Sequence, residues 1–193
     1  PGATVPLLAR RELAHGSVGL YDLATQPGPV PDEDRYSFAQ APRSSYEVVV
    51  DAVWGDLGSA GPLLERRSPA DRLLQSSAPL GTGSGRTLRW QNSDFPVVAG
   101  EQVLVSATGP GGCGATCGSD DVYRIRAWDT TYSIPRFNNS GSQVTILLIE
   151  NTGSTTVSGH AWLWAANGLQ VGEVPFTLGP RQLLTFNTST VVA

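Results

Sequence analysis

The sequence predicts an all-β chain: a jelly-roll or β-sandwich domain followed by a smaller, incomplete β-sandwich module. Three observations carry this. Runs with alternating apolar and polar residues recur along the chain, separated by Gly, Pro, Asn and Asp clusters. Gly 22 and Pro 14 together make about a fifth of the 193 residues, so turns are frequent. No stretch has a convincing amphipathic helical pattern, and the weak one at 6–15 is the only candidate.

Composition narrows the class. Charged residues are 16%, below the roughly 25% of an average soluble domain. That suits a surface of Ser, Thr, Asn and Gln, common on extracellular β proteins. Hydrophobic content of 40% excludes a disordered chain. The net charge of −4 gives no electrostatic footprint for nucleic acid. No apolar run is long enough for a membrane-spanning helix, so no span is expected.

Residues 1–12 form an N-terminal extension. Val5, Leu7 and Ala9 share one face of an extended segment, with Thr4, Pro6 and Leu8 on the other. Pro6 cannot donate a ladder hydrogen bond and fits only an edge position. The segment is a first strand of its own domain, a donor strand for another subunit, or a disordered tail. The domain itself is expected over 13–130 with about eight short strands. The clearest covers 45–54, where Tyr46, Val48, Val50, Ala52 and Trp54 alternate with Glu47, Val49, Asp51 and Val53. Shorter runs follow at 62–67 and 72–76 around an SPAD turn. The run 86–92 places Leu88 and Trp90 inward and Arg89 and Gln91 outward. The runs 102–107 and 122–128 complete the set, the last with Tyr123, Ile125 and Ala127 inward and Arg124 and Arg126 outward.

Residues 133–142 read as a linker or corner. The module over 131–193 then carries four strand-like runs, at 143–151, 156–164, 169–174 and 181–187. The first is apolar on both sides: Val144, Ile146 and Leu148 on one, Leu147 and Ile149 on the other. Such a strand needs cover on both faces. Four strands in a segment this short supply little cover, so the module is expected to be completed by something else. Asn167-Gly168 signals a tight hairpin with a type I′ turn.

The order LAHGSVGLYDLA, DEDRYSFAQ, SYEVVVDA, GPLLERR, SGRTLRW, GEQVLVSA and DDVYRIRAW resembles the bacterial pre-peptidase C-terminal domain. The matching features are the Gly16–Leu20 opening, the acidic Asp34–Phe38 strand and the aromatic Tyr123–Ala127 strand. The resemblance covers about 13–130 and implies a small jelly-roll-like sandwich in a secreted bacterial protein, usually an accessory to a hydrolase. The chain departs from it in its Cys113–Cys117 loop. The last module resembles, more loosely, the immunoglobulin-like accessory modules of secreted bacterial proteins.

The candidate chemistry is sparse. Cys113 and Cys117 lie in a glycine-rich loop and read as a small disulfide ring, with metal ligation the alternative. A disulfide favours an oxidising compartment. The only histidines, His15 and His160, lack a visible nucleophile and acid, and no G-x-S-x-G elbow occurs, so no enzyme is expected. The GTGSG loop lacks the Lys-Ser/Thr of a phosphate loop. No cofactor is expected; the acidic clusters Asp32-Glu33-Asp34 and Ser119-Asp120-Asp121 could supply carboxylate oxygens to calcium, though neither has EF-hand spacing. Trp162 and Trp164 lie two apart on one strand and share a face, either in a core or as a platform for a ligand such as carbohydrate. Asn138-Asn139-Ser140 and Asn187-Thr188-Ser189 match the N-x-S/T sequon.

These features lead to an extracellular or cell-surface structural protein, a pilus-like fibril subunit that polymerises head-to-tail by strand addition. The expected interface is Thr4, Val5, Leu7, Leu8 and Ala9 of one copy against Val144, Ile146 and Leu148 of the next. The alternative is an accessory module of a secreted hydrolase, with glycans as partner through Trp162 and Trp164.

Overall fold

A computed structural model describes residues 5–6, 19–22, 33–52, 54–55, 57, 61–80, 84–93, 98–108, 120–134 and 136–191, with backbone alone at 5–6, 19–22 and 38. It divides into two compact units, Pro1–Thr131 and Tyr132–Ala193.

The first unit is a β-sandwich. Its strands are β1 (Val5–Pro6), β2 (Gly19–Asp22), β3 (Glu33–Gln40), β4 (Ser44–Ala52), β5 (Leu63–Arg67), β6 (Leu73–Ser76), β7 (Ala78–Pro79), β8 (Arg86–Asn92), β9 (Val98–Ser106) and β10 (Val122–Asp129). One five-stranded sheet has the order β1-β3-β9-β5-β6, the other β2-β10-β4-β8-β7. Without the short β1 and β7, the inner orders 3-9-5-6 and 2-10-4-8 are those of a jelly roll. β7 is the strand the sequence hides, because two residues carry no period.

The alternation read from sequence sets the faces. Tyr46, Val48 and Val50 on β4, Tyr123, Ile125 and Ala127 on β10, and Leu88 on β8 meet Tyr36, Leu64, Val103 and Val105 of the opposite sheet in one buried cluster. Trp54 departs from the pattern. It is in phase with Val50 yet 62% exposed, because β4 stops at Ala52. The chain there turns through Gly55 at φ +84, where a Cβ would lie 2.3 Å from Asp121 Oδ1. A close approach at positive φ admits only glycine.

Two polar bridges cross the sandwich. Tyr36 on β3 and Tyr123 on β10 share a short hydroxyl–hydroxyl contact, and Tyr123 donates to Asp34 Oδ2 at 2.6 Å. Burial pushes the Tyr123 hydroxyl well above the usual tyrosine range, and the neighbouring Tyr36 and Asp34 push it the same way. The second bridge is a ring. Trp90 Nε1 on β8 donates to Gln40 Oε1 at 2.9 Å, and Gln40 in turn donates to Glu101 on β9. Arg66 Nε donates to Glu101 Oε2 at 2.6 Å, and the guanidinium lies 5.0 Å from the Trp90 ring centroid. Each buried polar group thereby gains a partner from a different strand.

On the outward face of the first sheet, Arg35 and Arg67 both bond Asp71 Oδ1, at 2.7 and 3.3 Å, while Arg67 also bonds Glu65. Hydrogen bonding to Arg35 holds the Asp71 carboxyl below its ordinary range. Asp71 has φ 59 and occupies the left-handed corner of the SPAD hairpin. There Asp71 N donates to Ser68 O, and Ser68 N to Arg72 O.

The second unit holds β11 (Ile146–Glu150), β12 (Val157–Trp164), β13 (Gln170–Leu178) and β14 (Leu183–Asn187), then a short 3-10 turn over Thr188–Thr190. They form two separate two-stranded sheets, β11-β14 and β12-β13, both antiparallel. β13 runs beyond the expected 169–174, through Pro175. Proline is compatible with a strand that has a partner on one side only. The Asn167-Gly168 hairpin forms, but not with the expected type I′ turn. Only Gly168 has positive φ; Gly168 N donates to Ala165 O and Ala165 N to Leu169 O, the same pattern as the SPAD hairpin. A type I turn followed by a left-handed glycine explains both bonds. Asn167 instead accepts from Leu169 N at 3.1 Å, which holds it out of the left-handed region.

Asn151 ties this unit together. Its buried side chain donates from Nδ2 to Thr155 O, Leu178 O and Gly179 O at 2.7, 3.1 and 2.8 Å, and accepts from Gly153 N at 3.0 Å. One amide thus joins the end of β11, the entry to β12 and the exit of β13.

Candidate functional site

The C-terminal unit has a thin core. Among its described apolar side chains only Leu163 and Leu178 are buried. The alternation of β11 turns Leu147 and Ile149 partly inward and leaves the other side to solvent. Val144, Ile146, Leu148 and Leu183 are 50%, 52%, 64% and 54% exposed. Ile146 and Leu148 stand on β11; Leu183 on β14 pairs with Glu150, and Thr185 with Leu148. These residues make an outward aliphatic row on a two-stranded sheet. The sequence called for cover on both faces of β11; within this unit that row has none.

Of the expected donor residues, Val5 is described. It and Pro6 pair in parallel with Tyr36 and Ser37 at the edge of the first unit's own sheet. Pro6 sits on an edge strand, as its missing N–H requires. Thr4, Leu7, Leu8 and Ala9 lie outside the described residues, as do Cys113, Cys117, His15, Asp32 and Ser119.

The β12-β13 sheet has a different character. Ser158, His160, Trp162 and Trp164 share one side of β12 and the buried Leu163 the other; Ser158 and Trp164 are exposed, while His160 and Trp162 are half-buried and the Trp162 Nε1 is enclosed. Trp162 pairs with Glu173 and Trp164 with Gln170 across a register shift. The His160 and Trp162 rings stack at 5.3 Å between centroids and 10° between planes. His160 Nδ1 lies 2.6 Å from Glu173 Oε1. Trp164 is 38% exposed. A shallow, open hollow at one end is lined by Ser158, Gly159, His160, Pro175, Phe176 and Thr177.

A carboxylate on Nδ1 is how a catalytic imidazole is oriented, but a nucleophile must then meet the other nitrogen. Ser158 Oγ instead pairs with Thr177 Oγ1 at 2.9 Å. The described residues of the first acidic cluster are also committed elsewhere: Glu33 pairs with Arg35 and Asp34 accepts from Tyr123. Among the described residues no three His, Cys, Asp or Glu side chains converge to hold a metal ion. No described helix is long and apolar enough to cross a membrane.

Sequence reasoning singled out the two indoles but missed the His160–Glu173 pair. Both residues sit on one face of adjacent strands, and only the register of β12 with β13 reveals their meeting. No family model matches this chain, and no curated protein matches it.

Proposed function

We propose that this chain is a structural subunit of an extracellular bacterial fibre or surface assembly, built head-to-tail by strand addition. The observation that carries the reading is the uncovered aliphatic row of Val144, Ile146, Leu148 and Leu183 over a unit with a thin core. Each of these side chains is about half exposed, so covering one contributes ~1 kcal/mol and covering all four ~4 kcal/mol. A strand laid along the β11-β14 sheet would also satisfy main-chain groups at its edge. The N-terminal segment, Thr4 to Ala9, alternates apolar residues in the pattern such a strand needs. Its described residues, Val5 and Pro6, pair with Tyr36 and Ser37 at a sheet edge, a place where one copy's strand can be exchanged for another's. The resemblance to the pre-peptidase C-terminal domain and the Cys113–Cys117 pair agree with a secreted location. A second reading, the accessory module of a secreted hydrolase, is favoured by the exposed indole of Trp164 on β12.

Electron microscopy of the native chain at neutral pH tests the first reading. Filaments are expected, with a repeat near one subunit length. Removing residues 1–11, or placing a charge in the row with Leu148→Glu, should leave folded, dispersed subunits. Unchanged filaments in both variants would sink the donor-strand account.

A further inference from the structure

We propose that Asn187 is an acceptor site for an N-linked glycan. The inference goes beyond both readings of function and rests on neither. The chain contains two N-x-S/T triplets, Asn138-Asn139-Ser140 and Asn187-Thr188-Ser189, both in the C-terminal unit. Transfer to such a triplet needs two groups, the Asn amide and the hydroxyl two residues on. The geometry of that pair therefore separates an acceptor from a chance match.

In both triplets the pair is assembled in the fold. Ser140 Oγ and N donate to Asn138 Oδ1 at 2.7 and 3.1 Å, and Ser189 Oγ and N donate to Asn187 Oδ1 at 2.8 and 2.9 Å. A backbone N–H can only donate, so it fixes which side of each amide carries the oxygen. The triplets differ at the nitrogen, the atom that must form the new bond. Asn138 Nδ2 donates to Gln143 Oε1. Asn187 Nδ2 has no hydrogen-bond partner among the described residues, and it is not enclosed. A sugar on Asn187 displaces no existing bond; a sugar on Asn138 does.

Position agrees. Asn187 ends β14 opposite Ile146, which is 52% exposed, so the two share the outward side of the β11-β14 sheet. Thr188 is buried, and its N and Oγ1 both donate to Thr145 O, at 2.9 and 3.0 Å. Asn187 is half-buried with its nitrogen open, and Ser189 and Thr190 are exposed. The middle residue of the triplet is thus the anchor, while the amide that reacts and the hydroxyl that is read are held outward. The step balances. Asn187 Nδ2 bonds the anomeric carbon of an oligosaccharide carried on a lipid pyrophosphate. The bond from that carbon to the pyrophosphate oxygen breaks, the lipid pyrophosphate leaves with the electron pair, and Nδ2 gives up one hydrogen as a proton. A membrane-bound transferase performs it on chains leaving the cytoplasm, in keeping with the surface location proposed above.

Mass spectrometry of tryptic peptides from the chain purified out of its native source tests this. Cleavage after Arg136 and Arg181 puts the triplets on different peptides, one beginning at Phe137 and one at Gln182. The Gln182 peptide is expected to carry a glycan mass, and the Phe137 peptide is expected unmodified at Asn138. Asn187→Gln and Ser189→Ala, each produced in the same source, should lose that mass completely, whereas Ser189→Thr, which keeps the hydroxyl, should retain it. The readout is a mass and does not depend on the stability of the variants. A Gln182 peptide of unmodified mass overturns the proposal. So does a glycan that persists in Asn187→Gln, which would place it on a hydroxyl of Thr185, Thr188, Ser189 or Thr190, and so does a glycan found on Asn138 alone.

Discussion

Replacing Asn151 tests whether one amide holds the C-terminal unit together. Its Nδ2 has two hydrogens and three carbonyl acceptors, so at least one bond is shared. The bond to Leu178 O is buried, whereas those to Thr155 O and Gly179 O are partly open to water. Losing the donor leaves a buried acceptor unsatisfied, which costs ~1–3 kcal/mol, and forfeits two partly exposed bonds at ~0.5–1 kcal/mol each. Asn151→Ala should therefore destabilise the unit by ~2–5 kcal/mol. Asn151→Asp separates hydrogen bonding from space filling. It keeps the shape but turns a donor into a carboxylate facing three carbonyls, so at neutral pH it should cost at least as much as Ala. On protonation in acid it regains one donor and should recover part of the loss. The assay is hydrogen exchange across 157–178, where ~2–5 kcal/mol appears as roughly 30- to 5,000-fold faster exchange. If Asp proves clearly milder than Ala at neutral pH, the side chain acts as filler and the argument fails.

Two further outcomes follow from local geometry. The Tyr123 hydroxyl titrates far above its ordinary value in the fold, so the native state keeps a proton that the unfolded chain releases. Stability from this group is complete below the unfolded pKa near 10 and should fall above it by up to ~1.4 kcal/mol per pH unit. Tyr123→Phe should flatten that alkaline slope in urea titrations while lowering stability at neutral pH, because Asp34 loses its donor. Arg181 is exposed at φ 58, following Pro180 in the β13–β14 turn. Arg181→Gly should stabilise the C-terminal unit by ~0.5–1 kcal/mol, read as slower exchange across 183–187.

Much of the sandwich was legible because one face of each strand is buried and one is wet. Tyr46, Val48 and Val50 against Glu47 and Asp51, and Tyr123, Ile125 and Ala127 against Arg124 and Arg126, state the period directly. Legibility fails where long-range partners decide. Trp54 continues an apolar phase after its strand has ended, and the Gly55–Asp121 approach that ends it joins residues far apart in sequence. Pro175 reads as a stop because sequence does not reveal that β13 has a neighbour on one side only. At the candidate interface, the two-sided apolar run of β11 announced a need for cover, and Ile146 and Leu148 stand where that need goes unmet. At the aromatic face the indoles were visible, but the His160–Glu173 contact depends on a cross-strand register.

Pro175 has a consequence for how copies of this chain can pile up. It lies inside the regular stretch of the β12-β13 ladder, opposite His160. A proline tolerated in that position directs its nitrogen away from the ladder, toward the open side of β13. A further strand laid along that side would find no N–H at the middle of its run. The exposed margin of β13 is thereby a poor template for side-by-side sheet growth, the route by which β proteins clump. The β11 and β14 strands contain no proline. Under the proposed fibre reading, strand addition along the β11-β14 sheet meets no such break, whereas addition along the open side of β13 does.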